Sequence, residues 1–255
     1  MLPGMRCPME PLMDKSKGHA KLLLVVVAKA PVAGEVKTRF IPHLTPDEAV
    51  ALYRCFLKDR ILTVDSLKGV DRALAYTPEN AVDMFDSFSG NGIDLFSQKG
   101  RDLGERLNNI FLDKLAAGYQ AVSIIDSDTP DLPQSLIRES FKRLLSNQTD
   151  VVFGPCHDGG YYLVGMRRPY PALFEDIPWS TEQVLSNTLE KAEKLGIKTD
   201  LLPWWNDLDT FKDLVDYYGK YKNQLNERHW AGKNTFLYLA RLDKINKGCP
   251  GRNQT

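Results

Sequence analysis

Residues 22–28 read Leu-Leu-Leu-Val-Val-Val-Ala, seven apolar positions without interruption. The run is far shorter than the roughly 20 residues a membrane span needs. It is also too continuous for a strand with one face in water, so it predicts a central strand buried on both faces. Such a strand demands a sheet with helices on each side. Further β-rich runs at 72–76, 93–97, 121–126, 150–154 and 160–166, with another near 197–202, alternate with longer helical patterns. That alternation predicts an α/β chain with a mainly parallel sheet.

The helices carry their own start signals. Thr45-Pro46-Asp47-Glu48 combines an N-cap, a first-turn proline and a glutamate three residues on, which predicts a helix over 46–66. Leu103, Leu107, Ile110, Phe111 and Leu115 recur at helical spacing over 102–117. Ser180 to Gln183 offers a second capping box, for a helix ending near Gly196, and a further helix begins near Thr210. The body of the chain is therefore read as one domain, 21–219. Residues 1–20 lack a signal peptide's apolar core and, with the polar, Lys-containing stretch Asp14-Lys15-Ser16-Lys17-Gly18-His19, read as a disordered leader. The 220–255 segment turns basic and amide-rich, with one helical candidate at 234–244, and reads as an appendage.

Lys plus Arg and Asp plus Glu both number 33, so no global field favours nucleic acid or an anionic membrane, and any anion site must be local. Cys7, Cys55, Cys156 and Cys249 have no CxxC spacing. That argues against a zinc site or a disulfide framework and fits a reducing, cytoplasmic setting.

Ligands of a parallel sheet sit beyond the carboxyl ends of its strands, where loops converge and helix N-termini point inward. Four segments follow predicted strands. The first, Ala28 to Arg39, sets Lys29, Lys37 and Arg39 around Gly34, a combination suited to phosphate oxygens. It lacks P-loop spacing, and a solvated basic turn is the alternative reading. In the second, Gln98 to Arg106, Asp102 stands at a helix start with Gly104 behind it, where capping competes with a ligand role. The third, Asp126-Ser127-Asp128-Thr129-Pro130-Asp131, places two carboxylates one residue apart at a strand end, a pattern that suits a divalent ion at Asp128, with Asp131 read as a cap. In the fourth, Cys156-His157-Asp158-Gly159-Gly160-Tyr161, the glycines permit close backbone approach, and Asp158 can bind a hydroxyl or act as a base. A hairpin turn explains the same residues, and a Cys156–His157 nucleophile is disfavoured because adjacent side chains on an extended segment diverge. Further on, Asp207 and Asp209 offer a second source of carboxylates to complete an Mg²⁺ or Mn²⁺ site with Asp128, with helix capping again the alternative.

The ordered series AKAPVAGEVKTRF, QKGRDLGERL, DSDTPDLP, GPCHDGGYYLVG, PWST and WNDLDT, spanning about 22–218, resembles bacterial GT-A-like glycosyltransferases of the arsenosugar-biosynthesis type. These are distant relatives of the molybdopterin and phospholactate guanylyltransferases. The resemblance implies a nucleotide-diphospho-sugar transferase fold, a three-layer α/β/α sandwich. It implies nucleotide contacts from Ala28, Lys29, Gly34, Lys37, Arg39, Asp102, Gly104 and Asp126, and a metal held by Asp128, Asp207 and Asp209. Gly159, Gly160 and Tyr161 fall in the segment bordering the acceptor, and Asp158, Lys29 and Arg39 are the candidate catalytic residues. The family usually has glycine where this chain has Asp126.

The expectation is metal-dependent glycosyl transfer from a nucleoside diphosphate sugar to a small-molecule acceptor. The alternative is nucleotidyl transfer with release of pyrophosphate, and a third reading is a non-catalytic nucleotide-sugar binding protein. No nucleic-acid or membrane partner is expected.

Overall fold

The computed structural model describes residues 20–88, 92–223 and 230–248. The apolar run forms β1 (Leu22–Lys29). Thr45 and Glu48 then make a reciprocal capping box that opens α1 (Pro46–Asp65). The chain continues through β2 (Asp71–Thr77), β3 (Ile93–Ser97), α2 (Leu103–Ala116) and β4 (Ala121–Ile125). After α3 (Gln134–Leu145) come β5 (Val151–Pro155), β6 (Tyr161–Met166), α4 (Val184–Lys194) and β7 (Thr199–Leu201). The last elements are α5 (Phe211–Tyr221), α6 (Lys233–Leu239) and α7 (Asp243–Gly248).

The strands form one seven-stranded sheet in the order β3-β2-β1-β4-β6-β5-β7. Only β6 runs against its neighbours, pairing antiparallel with β4 and β5. β1 lies between β2 and β4 in parallel register, as its unbroken apolar run requires. Its alternate residues serve opposite faces. Leu23 and Val25 pack with Leu107, Ile110 and Phe111 of α2, while Leu24 and Val26 pack with Ile137, Phe141 and Leu144 of α3. The sheet is thus the middle of three layers, with α2 and α4 on one side and α1 and α3 on the other. No helix among the described residues is long and apolar enough to cross a membrane.

Two local expectations change. The helix expected from Ser180 begins only at Val184; Ser180 itself adopts φ 66 and the residues up to Gln183 form a loop. The capping pattern was present, but a left-handed Ser180 cannot be a standard N-cap, whose backbone is extended. Helix α3, absent from the sequence reading, follows Pro133 and buries Ile137, Phe141 and Leu144 at helical spacing.

The expected leader, 1–20, falls almost entirely outside the described residues. Of the 220–255 segment, residues 230–245 dock onto the layer that contains α1: Phe236, Leu239 and Ile245 are buried in one cluster with Leu52, Phe56 and Leu57. Asp59 of α1 receives hydrogen bonds from the backbone and side chains of both Asn234 and Thr235 at the start of α6.

Candidate functional site

Beyond the carboxyl ends of β1–β4 lies a cavity of about 560 Å³, within the range usual for small-molecule sites. Of the residues singled out from sequence, Ala28, Lys29, Lys37, Arg39, Asp126, Asp128 and Asp209 line it. They come from three loops that converge because β1 and β4 are adjacent in the sheet and the segment before α5 crosses their ends. The backbone N–H of Leu208 donates to the carbonyl of Asp128 at 3.0 Å, which ties the two carboxylate-bearing loops together.

Lys37 organises the centre. Its backbone adopts φ 51, and its Nζ is hydrogen-bonded to Leu208 O at 2.7 Å and to Asp209 Oδ1 at 2.7 Å, and lies 3.1 Å from Asp128 Oδ1. The side chain is only 5% exposed. Burial alone would lower the pKa of this ammonium, but Asp128 and Asp209 more than offset it, and Lys37 titrates above the usual lysine range. Arg39 holds the other oxygen of Asp209 at 2.8 Å. Burial works against ionisation of Asp209, yet Lys37 and Arg39 keep its pKa below the ordinary carboxylate value.

Asp126 faces the cavity beside Asp128 and turns its Oδ1 back on its own loop, accepting from Thr129 Oγ1 at 2.6 Å and from the Asp128 N–H at 3.2 Å. Behind it lies Arg60, fully buried, with Nη2 bonded to Thr129 and 3.7 Å from Asp126 Oδ1. Its Nε and Nη1 have no hydrogen-bond partner among the described residues. Burial pushes the Asp126 carboxyl up to about 7 despite Arg60, and Asp128 adds to the shift.

Asp207 parts company with Asp209. A regular extended segment would put both on one face, but residues 206–209 are irregular, and Asp207 groups with Asp158 and the Cys156 thiol, ligand atoms within 4.8 Å of one another. Burial, then repulsion by Asp158, Asp209 and Asp126, pushes Asp207 up to about 7. Asp158 also closes its own turn, accepting from the Gly160 N–H at 2.8 Å.

The remaining sequence candidates do not line the cavity. Gly34 sits exposed in the turn of the basic loop. Asp102 caps α2, accepting from the Glu105 N–H at 2.9 Å. A Cβ at Gly104 would collide with Phe174 O and Trp179, so the bare glycine lets Trp179 close over the start of α2. Gly159, at φ +89, packs directly on the backbone of Glu182. Tyr161 lies edge-on to Trp179, ring centroids 6.3 Å apart.

Several cavity residues, Tyr53, Gln98, Trp179 and Ser180 among them, were not drawn from the sequence as site candidates. Trp179 and Ser180 come from the PWST segment, a signal present but unused, and Gln98 bridges the carbonyls of Ala28 and Ala75. Tyr53 of α1 contacts both loops, its hydroxyl 3.1 Å from the Lys29 N–H and 3.0 Å from Ser127 Oγ. Nothing local marks Tyr53 out from the other apolar-face residues of its helix.

Three oxygens, two from carboxylates and one from a carbonyl, converge on one point at the Lys37 ammonium, and two further carboxylates nearby are held above their ordinary pKa. Hard oxygen donors with excess negative charge suit Mg²⁺ or Mn²⁺; on donor chemistry, Asp128 and Asp209 fit such an ion.

Residues 61–181 match the family described as an uncharacterized protein conserved in bacteria, DUF2064. A candidate nucleotide-diphospho-sugar transferase from Desulfovibrio desulfuricans G20 is 31% identical, with a TM-score of 0.81 over 90% of this chain and 98% of that one. CMP:2-keto-3-deoxy-manno-octonic acid synthetase complexed with CTP is similar in fold, at 12% identity and TM-score 0.54 over 80% of this chain and all of that one. So is a cytidylyltransferase from Leptospira borgpetersenii serovar Hardjo-bovis (strain JB197), at 14% identity and TM-score 0.54 over 93% and 99% of the two chains. No curated protein matches significantly.

Proposed function

This chain belongs to the bacterial DUF2064 family within the GT-A-like nucleotide-diphospho-sugar transferase superfamily and is a transferase; on that premise we propose that it moves a glycosyl group from a nucleoside diphosphate sugar to a small-molecule acceptor, with Mg²⁺ or Mn²⁺. The observation that carries the reading is the pairing of Asp128 with Asp209 at the mouth of a cavity walled by Lys29, Lys37 and Arg39. Opposite charges set side by side on loops suit a diphosphate and the ion it travels with.

In this scheme Asp128 and Asp209 would hold the ion, and the ion would supply positive charge to offset that of the departing diphosphate. Lys29 and Arg39 donate to phosphate oxygens from the basic loop. Tyr53 ties that loop to the acid loop, so phosphate and carboxylate groups keep a common frame. Asp158, next to Asp207 on the far side of the acid cluster, orients or deprotonates the acceptor hydroxyl. Gly159 and Gly160 let the acceptor approach the backbone there.

The basic loop also favours a second reading. A loop with three cations at the end of β1 suits the departing pyrophosphate of a triphosphate, and the fold is shared with a synthetase complexed with CTP. Nucleotidyl transfer is therefore the alternative. Product analysis separates the two: incubation with nucleoside diphosphate sugars and Mn²⁺ is expected to release nucleoside diphosphate on addition of acceptor. Pyrophosphate release from nucleoside triphosphates, with no turnover of any nucleotide sugar, would establish the alternative, and binding without turnover of either would make the protein a nucleotide-sugar binder. The expected setting is the cytoplasm.

A further inference from the structure

The ammonium of Lys37 occupies the place where the acid pair would hold its ion. It satisfies Asp128 Oδ1, Asp209 Oδ1 and Leu208 O together, at 3.1, 2.7 and 2.7 Å, which matches the three donors a lysine has to give. A divalent ion bound by the same oxygens would sit about 2.1 Å from each. It would then lie within bonding distance of the ammonium nitrogen, where two positive charges repel strongly in a site this enclosed. Lysine and metal cannot share the nest.

We propose, building on the metal-dependent reading above, that Lys37 is an internal counter-ion which holds the acid pair ready in the metal-free protein and is displaced by the ion. The lysine needs somewhere to go, and the geometry supplies one direction. Its neighbours Glu35, Val36, Thr38 and Arg39 all line the same cavity as Lys29, so a lysine released from the carboxylates swings into the space reserved for phosphate. The metal alone must then displace a paired, buried ammonium, whereas metal arriving with a phosphate chain offers that ammonium a new anionic partner. Metal and phosphate binding become reciprocally coupled through one side chain. Arg39 keeps hold of Asp209 Oδ2 throughout, so the carboxylate stays in place when Lys37 leaves.

The test is Mn²⁺ binding by equilibrium dialysis, with and without inorganic pyrophosphate, for the wild-type protein and for Lys37→Met. Wild type is expected to bind Mn²⁺ at least tenfold more tightly with pyrophosphate than without. Lys37→Met is expected to bind Mn²⁺ alone at least tenfold more tightly than wild type does, and pyrophosphate should add less than threefold. Lys37→Gln, which keeps an amide donor for the carboxylates, guards against a misfolded methionine variant and should behave likewise. Mn²⁺ alone should raise the Tm of both variants more than that of wild type. If wild type binds Mn²⁺ with pyrophosphate but neither variant binds Mn²⁺ alone more tightly than wild type, Lys37 supports the ion rather than replacing it, and the proposal is overturned. If no form binds Mn²⁺ under any condition, the metal-dependent reading falls and takes this proposal with it.

Discussion

Asp59 and Arg60 are neighbours on α1, both buried, and they serve opposite ends of a contrast. The Asp59 carboxylate meets four donors at the start of α6, at 2.6–2.9 Å, and every one is hydrogen-bonded in good geometry. Arg60 reaches the acid loop with one nitrogen bonded to Thr129 and two left without partners among the described residues. Complete pairing of a buried charge is how a fold is held together, because unmet groups carry their full desolvation cost. An incompletely paired charge is tolerated where the chain keeps electrostatic capacity for something else, as expected behind a loop that carries Asp126 and Asp128. Of the two contacts, the α1–α6 contact is a structural joint and the α1–acid-loop contact backs the candidate site.

Substitutions can break or sharpen that contrast. The largest stability effect should come from Asp59→Ala, which leaves the first N–H groups of α6 without their acceptor: a loss of roughly 3 kcal/mol or more, read by urea unfolding, with turnover per folded molecule unchanged. A loss below 1 kcal/mol would mean that α6 contributes little to the joint. Asp128→Asn should cut turnover on the order of 100-fold, close to 3 kcal/mol of transition-state stabilisation, while Tm moves little; steady-state kinetics at saturating Mn²⁺ measures it. Arg60→Met removes a buried charge whose own desolvation is only partly offset, so it should destabilise less than Asp59→Ala although it leaves Asp126 without its partner. Its expected signature is about a tenfold fall in kcat, or about 1.4 kcal/mol, from loosening the acid loop. Were Arg60→Met as destabilising as Asp59→Ala and silent in kcat, the contrast would collapse.

The smallest effect concerns the other end of α1. Hydrogen bonds from the Thr45 backbone and from Lys244 hold Glu48 below the usual carboxylate range. Because its folded pKa is depressed, Glu48 contributes stability that is present above the unfolded carboxylate pKa and lost as pH falls through the folded value. Thr45→Ala should cost about 1 kcal/mol at neutral pH, and part of that difference should disappear on acidification. A wild-type minus variant Tm difference that is flat from pH 7 to pH 3 would show that the carboxylate plays no part in the cap.

Much of this architecture is legible without coordinates. The seven strands, the Thr45 cap, the α2 face and the α5 start all follow from apolar periodicity and from caps confined to four residues. Helix α3 went unread because Pro133 opens it without a side-chain cap, and Ser180 misled because a capping sequence does not report the backbone angle that tertiary packing imposes. The site was legible as a set of loops. The partition of its carboxylates was not: Asp207 and Asp209 are separated by one residue, yet one faces Asp158 and the other Lys37.

The sequence by itself determined that β1 is central and that the loops after β1 and β4 are charged with opposite signs. Those conclusions rest on local pattern, which a strand or a helix start expresses within a few residues. Only the tertiary structure decided that Lys37 lies between Asp128 and Asp209, the latter 172 positions away, that Tyr53 ties the two loops together, and that Arg60 stands behind Asp126. Such contacts depend on which strands become neighbours in the sheet and on how a buried charge finds partners, and no short stretch of chain records either.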